Sequence, residues 1–150
     1  MAALVIRSRR VKLCLALIVA NTLFIWGNSA LTAEISTAIS DFVWRVLGWF
    51  FSGQNSGEAS GTGLLRKLAH LTEFACLGFL WCWYLLLGKR NPWLGLMPGL
   101  CTACVDEAIQ YFVPGRGPRV TDVAIDVAGV SLGIGAMLLI QSIKKWRNNQ

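Results

Sequence analysis

The sequence predicts an all-α integral membrane bundle of about four transmembrane helices, with an additional amphipathic helix lying at the outer interface. Three observations carry that expectation. Of 150 residues, 55% are hydrophobic and only 15% charged, with seven Trp, outside the usual range of a soluble domain this small. Four apolar stretches, residues 11–26 or slightly beyond, 68–87, 93–112 and 123–143, approach or reach the roughly 20 residues that cross about 30 Å of hydrocarbon. Lys and Arg collect on alternate sides of these stretches. The length leaves room for one domain, spanning 1–150.

The first stretch follows Arg7, Arg9 and Arg10 and reads as an uncleaved anchor. A cleaved signal peptide is the rival reading, because basic residues precede an apolar core and "NSALTA" offers small residues for cleavage. The apolar run is somewhat long for a signal core, which favours the anchor. Next comes "LTAEISTAISDFVWRVLGWFF", in which Ile35, Ile39, Phe42, Val46 and Phe50 recur at helical spacing beside Trp44 and Trp49. This is the pattern of a helix lying on the outer leaflet. Reading it as a fifth span would require burying Glu34, Asp41 and Arg45 in lipid. Residues 52–63, "SGQNSGEASGTG", have the composition of a flexible linker.

The last two stretches flank "DEAIQYFVPGRGPRVTDVAID", residues 106–126, and carry acids only at the ends that face it. They form a helical hairpin with a charged turn at its tip, and "PGRGPR" supplies turn chemistry. With both termini cytoplasmic, the inner side holds nine bases and no acid. The outer side holds Arg45, Arg66, Lys67, Arg116 and Arg119 with all eight acids. That split of +9 against −3 accounts for the net charge of +6 and ties it to anionic inner-leaflet lipid. No RNA- or DNA-binding motif offers another reason for it.

Ionisable residues then sort by helix face. In the second span Lys67, His70, Phe74 and Leu77 step by three or four, with Glu73 three beyond His70. In the third, Gly95, Gly99 and Ala103 lead to Glu107, with Asp106 beside it and Gln110 one turn on. In the fourth, Asp122 and Asp126 continue into Gly129 and Gly133. Small residues at this spacing let backbones approach closely, so Gly95, Gly99 and Ala103 are expected to pack against Gly129 and Gly133, drawing Glu107 toward Asp126. The carboxylates then need positive charge from His70, Lys67, Arg116 or a cation. The polar ends together predict the rim and floor of a pocket in the outer leaflet. Structural roles compete with this reading: a local His70–Glu73 hydrogen bond, a snorkelling Lys67, or an acid network with Arg116 that closes the hairpin.

The five Cys, at positions 14, 76, 82, 101 and 104, all fall in apolar spans. "CTAC" has redox spacing but no polar neighbour to lower a thiol pKa, so small hydrophobes in helix contacts are expected. One His among several carboxylates suits Mg²⁺ or Ca²⁺ at least as well as zinc, and no particular metal or cofactor is assigned. No Ser-His-Asp arrangement or phosphate-cradling glycine loop is present.

"KLAHLTEFACLGF" followed by "DEAIQYFVPGRGPRVTDVAIDVAGVSLG" resembles the VanZ-like membrane proteins. Two separated motifs occur in order over about residues 64–135. The resemblance implies a bacterial cell-membrane protein of about four spans, in a family named after a member linked to teicoplanin resistance. It also carries over Lys67, His70, Asp106, Glu107, Gln110, Pro114, Gly115, Arg116, Asp122 and Asp126 as motif positions. Two functions are expected from these readings. The first is a non-enzymatic envelope protein that binds an anionic lipid or lipid-linked cell-wall precursor through Arg116, Arg119 and Lys67, since guanidinium suits phosphate oxygens. The alternative is an intramembrane enzyme acting on a lipid-borne phosphate or acyl group. His70 and Glu107 would be its acid and base, and Asp122 or Asp126 would hold a cation. A proton-coupled transporter is disfavoured by the chain's small size.

Overall fold

The computed structural model describes the backbone of residues 2–52 and 62–150 and the side chains of 8–43, 45, 46 and 64–150. The elements in order are α1 (Ala2–Ser29), α2 (Ala33–Ser52), α3 (Thr62–Leu87), a 3₁₀ turn at Pro92–Gly95, α4 (Leu96–Tyr111) and α5 (Val120–Asn148). No strand occurs among the described residues. Of the expected linker, 53–61 lie outside the described residues.

Three helical segments, Ser8–Ser29, Leu64–Leu87 and Val120–Asn148, are long and apolar enough to cross a membrane. A helix is the natural form for such segments, because its backbone groups are satisfied internally where no water is available. The stretch expected as a third span, 93–112, is divided. Pro92 cannot donate a backbone hydrogen bond and opens the 3₁₀ turn, where the Asn91 side chain accepts from the Trp93 N–H at 3.0 Å. The α-helix that follows has 16 residues. At 1.5 Å per residue α4 is about 24 Å long, short of a full span by itself.

α2 is helical as expected. Ile35, Phe42 and Val46 are exposed, and Ile39, half exposed, also borders a cavity against α1 and α3. The side chains of Trp44, Trp49 and Phe50 lie outside the described residues.

The central pair is α3 with α5, which run parallel: Gly129 rests by Leu71 and Phe74, and Gly133 by Ala75 and Phe79. A Cβ added at Gly133 would collide with the Ala75 carbonyl, and one at Gly78 with the Val130 carbonyl. α1 runs antiparallel to α3, with Cys14 Sγ donating to Leu80 O at 3.3 Å and Asn21 Nδ2 to Glu73 O at 3.2 Å. α4 also runs antiparallel to α5, placing Gly99 on Val130 and Gly95 near Ile134. Phe74, Leu77, Val130 and Ile134 are fully buried at the centre. Lipid tails are as apolar as these side chains, so close packing rather than removal from water holds helices together here.

Two expectations are corrected. Gly129 and Gly133, expected against α4, face α3. Ala75 and Gly78 give α3 the smaller surface, while Gly99 of α4 receives the bulk of Val130 instead. All five Cys are free, but only Cys14 and Cys82 fill the core; Cys76, Cys101 and Cys104 face outward.

The seam yields a prediction. Gly133→Ala is expected to destabilise the protein by about 1–3 kcal/mol through overpacking. Gly135→Ala, where nothing lies within 4 Å of an added Cβ, should change stability by no more than about 0.5 kcal/mol. Unfolding of the two variants in detergent, followed by circular dichroism, checks the contrast.

Candidate functional site

The end of α1, the start of α3, the end of α4 and the start of α5 meet at one end of the bundle. The antiparallel runs bring polar residues from four distant sequence positions to one level. Lys89, Arg90, Lys144, Lys145 and Arg147 fall at the opposite end.

At the centre of the polar end stands His70. Its Nδ1 lies 3.8 Å from Asp106 Oδ2 and 3.8 Å from Asp126 Oδ1. Both separations exceed a hydrogen bond. The His70 side chain is 17% exposed; Asp106 and Asp126 are 0% and 1% exposed, so both carboxylates have left solvent. Gln110 Nε2 donates to Asp106 Oδ2 at 2.9 Å and to Ser29 Oγ at 3.2 Å, tying α4 to the end of α1. Asp126 has no such partner. Both of its oxygens, Asp106 Oδ1 and His70 Nδ1 are buried without a hydrogen bond.

Glu107 has a different setting. Its Oε2 accepts the Arg119 backbone N–H at 2.7 Å, at the extended residue immediately before α5. It therefore clamps the loop between α4 and α5. In that loop the Arg116 N–H donates to Val113 O at 3.1 Å, closing a turn with Pro114 and Gly115 at its central positions. Gly115 has φ +78°, which favours glycine, and its α-carbon faces the Ala33 side chain at the start of α2. The turn thus does what "PGRGPR" promised and aims Arg116 inward, where Nη1 reaches Ser29 O at 3.4 Å.

Arg116 is half-buried, and burial, reinforced by the Arg66 guanidinium, pulls its pKa below the ordinary arginine value. Asp106 and Glu107 oppose that shift. A guanidinium nonetheless stays cationic in a protein.

A cavity of about 180 Å³ opens over this floor. Arg66, Lys67, Arg116 and Arg119 supply positive charge to its wall, and His70, Gln110, Asp122 and Asp126 complete the polar lining. A second cavity, of about 100 Å³, lies on the α1 and α2 side and shares Arg66, His70 and Arg116. There Asn28 Nδ2 donates to Glu73 Oε1 at 2.8 Å, and Arg66 Nη2 donates to Thr37 Oγ1 at 3.2 Å.

The structure brings Lys67, His70, Gln110, Arg116, Arg119, Asp122 and Asp126 to one cavity, with Asp106 beneath it. Glu107 is not among the lining residues, and the acid against His70 on α4 is Asp106. The His70–Glu73 contact considered from spacing does not form; Glu73 turns instead to Asn28 of α1. Sequence reasoning also passed over Asn28, Ser29 and Arg66. The signal for the first two was a pair of polar residues closing an apolar span; for Arg66 it was its position four residues before His70.

The sequence model of the VanZ/LLP1 family matches residues 10–141, most of the chain. Neither a curated protein nor a solved structure matches it.

Removing the loop clamp has an expected outcome. Glu107→Ala leaves the Arg119 N–H without its acceptor and should lower stability by about 1–3 kcal/mol. Limited trypsin digestion of the detergent-solubilised protein should then cut faster at Arg116 and Arg119 than in the parent.

Proposed function

The chain belongs to the VanZ/LLP1 family of membrane proteins, and from that premise we propose that it binds the phosphate of an anionic lipid or a lipid-linked cell-wall precursor at the polar end of its bundle. One observation carries the reading: Arg66, Lys67, Arg116 and Arg119 line a single cavity of about 180 Å³. Two of the three guanidiniums, Arg66 and Arg116, also line the second cavity, so their charge faces both openings. Guanidinium groups match phosphate oxygens bidentately, and Lys adds a point charge. The partial desolvation of Arg116 strengthens its attraction for an anion relative to a fully solvated side chain. A lipid headgroup can enter at this end while its acyl chains stay beside the apolar helices.

This reading places α4 with its preceding 3₁₀ turn as a fourth membrane segment. The exposed face of α2, Ile35, Ile39, Phe42 and Val46, then lies on the outer leaflet. Both termini are cytoplasmic, with Lys89, Arg90, Lys144, Lys145 and Arg147 on the inner side. Binding of a wall precursor at the outer leaflet would alter what a glycopeptide meets at the cell surface, the route by which such a protein would affect teicoplanin susceptibility.

A second reading, an intramembrane enzyme acting on a lipid-borne phosphate or acyl group, draws support from His70 and Asp126 sharing the cavity with these cations. His70 would be its acid–base group. Glu107, the expected partner, does not line the cavity and gives one oxygen to the Arg119 N–H, whereas Asp126 lines the cavity 3.8 Å from His70 Nδ1. Release of product from a lipid-linked substrate by purified protein would favour this reading over simple binding, and a lack of turnover across lipid-linked phosphates and acyl lipids would sink it.

Native mass spectrometry of gently extracted protein tests the binding proposal. The parent should retain an anionic lipid, and Arg116→Ala should lower its occupancy about tenfold, the equivalent of one charge-assisted contact, while the protein still inserts. Equal retention of zwitterionic and anionic lipid, or undiminished retention by Arg116→Ala, would overturn the proposal.

A further inference from the structure

We propose that His70, Asp106 and Asp126 together bind one divalent metal ion on the floor of the cavity. The headgroup reading concerns the cationic wall above; this site stands on separate observations and does not depend on it.

The first observation is geometric. One ligand atom from each residue lies within 4.8 Å of the others, and the two His70 Nδ1 to carboxylate distances are both 3.8 Å. These separations are too long for direct hydrogen bonds, yet they surround a common point. A metal bonded at about 2.0–2.2 Å holds its ligand atoms roughly 3–4 Å apart, so the three close onto an ion by side-chain movements of about an ångström or less.

The second observation is an unmet need. Asp126 is 1% exposed, and neither of its oxygens has a hydrogen-bond partner. Asp106 Oδ1 and His70 Nδ1 are likewise buried and unpaired, and His70 Nδ1 faces the unpaired Asp126 Oδ1 at 3.8 Å. Leaving such atoms bare is unfavourable, and more so when they are charged. Among the described residues, no Lys or Arg nitrogen comes within 4.0 Å of either carboxylate. A divalent ion offsets the two negative charges and satisfies the three side chains at once.

The third is the surrounding support. Gln110 holds Asp106 Oδ2 at 2.9 Å and is itself held to Ser29, the kind of outer hydrogen bond that orients a ligating carboxylate. His70 stacks on the fully buried Phe74, with ring centroids 6.5 Å apart, which limits the imidazole's rotation. His70 and Asp126 both line the 180 Å³ cavity, so an ion has an entry path and open positions beyond the three protein ligands. One imidazole with two carboxylates suits Zn²⁺ or Mn²⁺, which accept a nitrogen ligand beside oxygen, whereas Ca²⁺ and Mg²⁺ take all-oxygen sites.

Full-length protein in detergent, stripped with chelator, is titrated with Mn²⁺ while electron paramagnetic resonance reads the free ion. The parent should bind one Mn²⁺ per chain, displaceable by Zn²⁺. Asp126→Asn and His70→Ala should each weaken binding at least tenfold. Glu34→Gln, which removes an exposed carboxylate elsewhere, should bind as the parent does. As a check on folding, Mn²⁺ should raise the Tm of the parent and of Glu34→Gln but not that of Asp126→Asn or His70→Ala. Absence of saturable binding by the parent overturns the inference, as does binding that Asp126→Asn and His70→Ala leave unchanged. So does a thermally stabilised Asp126→Asn beside a parent that binds no Mn²⁺, which assigns the cluster to a shared proton.

Discussion

The contact between α3 and α5 governs the rest of the molecule. With no Cβ at Gly78, Gly129 and Gly133, the two helices meet backbone to backbone along a parallel seam. In lipid this closeness is what stabilises the pair, since removing apolar surface from an apolar solvent gains little. The seam also sets the register of the polar residues. Gly129 rests against Leu71, so Asp126, three residues earlier on α5, falls opposite His70, one residue earlier on α3. Bulk at the seam would separate those two side chains before it disturbed any polar contact directly.

α1 and α4 complete the polar end from the other direction. Each runs antiparallel to the central pair, so their last turns reach the level of the first turns of α3 and α5. Ser29, the last residue of α1, accepts from both Gln110 and Arg116, joining the α4 side and the connecting loop to a helix far away in sequence. Glu107 performs a related task for α5 by taking the Arg119 N–H. These contacts consume the hydrogen-bonding capacity of some acids and leave that of others open. Glu107 gives one oxygen to the backbone and Asp106 gives one to Gln110, while both oxygens of Asp126 are unengaged.

That gradation separates scaffold from site. Four cations and Asp122 line the cavity, with Asp126 and His70 at its lining and Asp106 against His70. The lining offers an anion three guanidiniums and Lys67, and offers a cation the buried carboxylates beside His70. Both ligand types can reside together, because a cation on the floor would reduce the repulsion between the carboxylates and an anion above. Embedding this arrangement among apolar helices lowers the local dielectric and magnifies each of these effects relative to a surface patch.

Apolar run length alone determined that the chain is a helical membrane protein, and charge placement that Asp106, Glu107, Asp122 and Asp126 gather around one turn. Those features are local and additive, so they are legible residue by residue. The "PGRGPR" turn was legible for the same reason, as Pro and Gly impose their dihedrals on any fold. The grouping of His70 with acids of the later helices was also within reach, because helical periodicity marks which residues share a face. Tertiary structure alone decided which faces meet. Spacing made Gly129 and Gly133 available to either α3 or α4, and the choice of α3 followed from Ala75 and Gly78 across the interface. Adjacent Asp106 and Glu107 lie about 100° apart around a helix, and only the packed neighbours determine that the first turns to His70 and the second to the loop. Asn28, Ser29 and Arg66 entered the site in the same way: a side chain's partner across a bundle depends on helix direction and depth, quantities that no single segment contains.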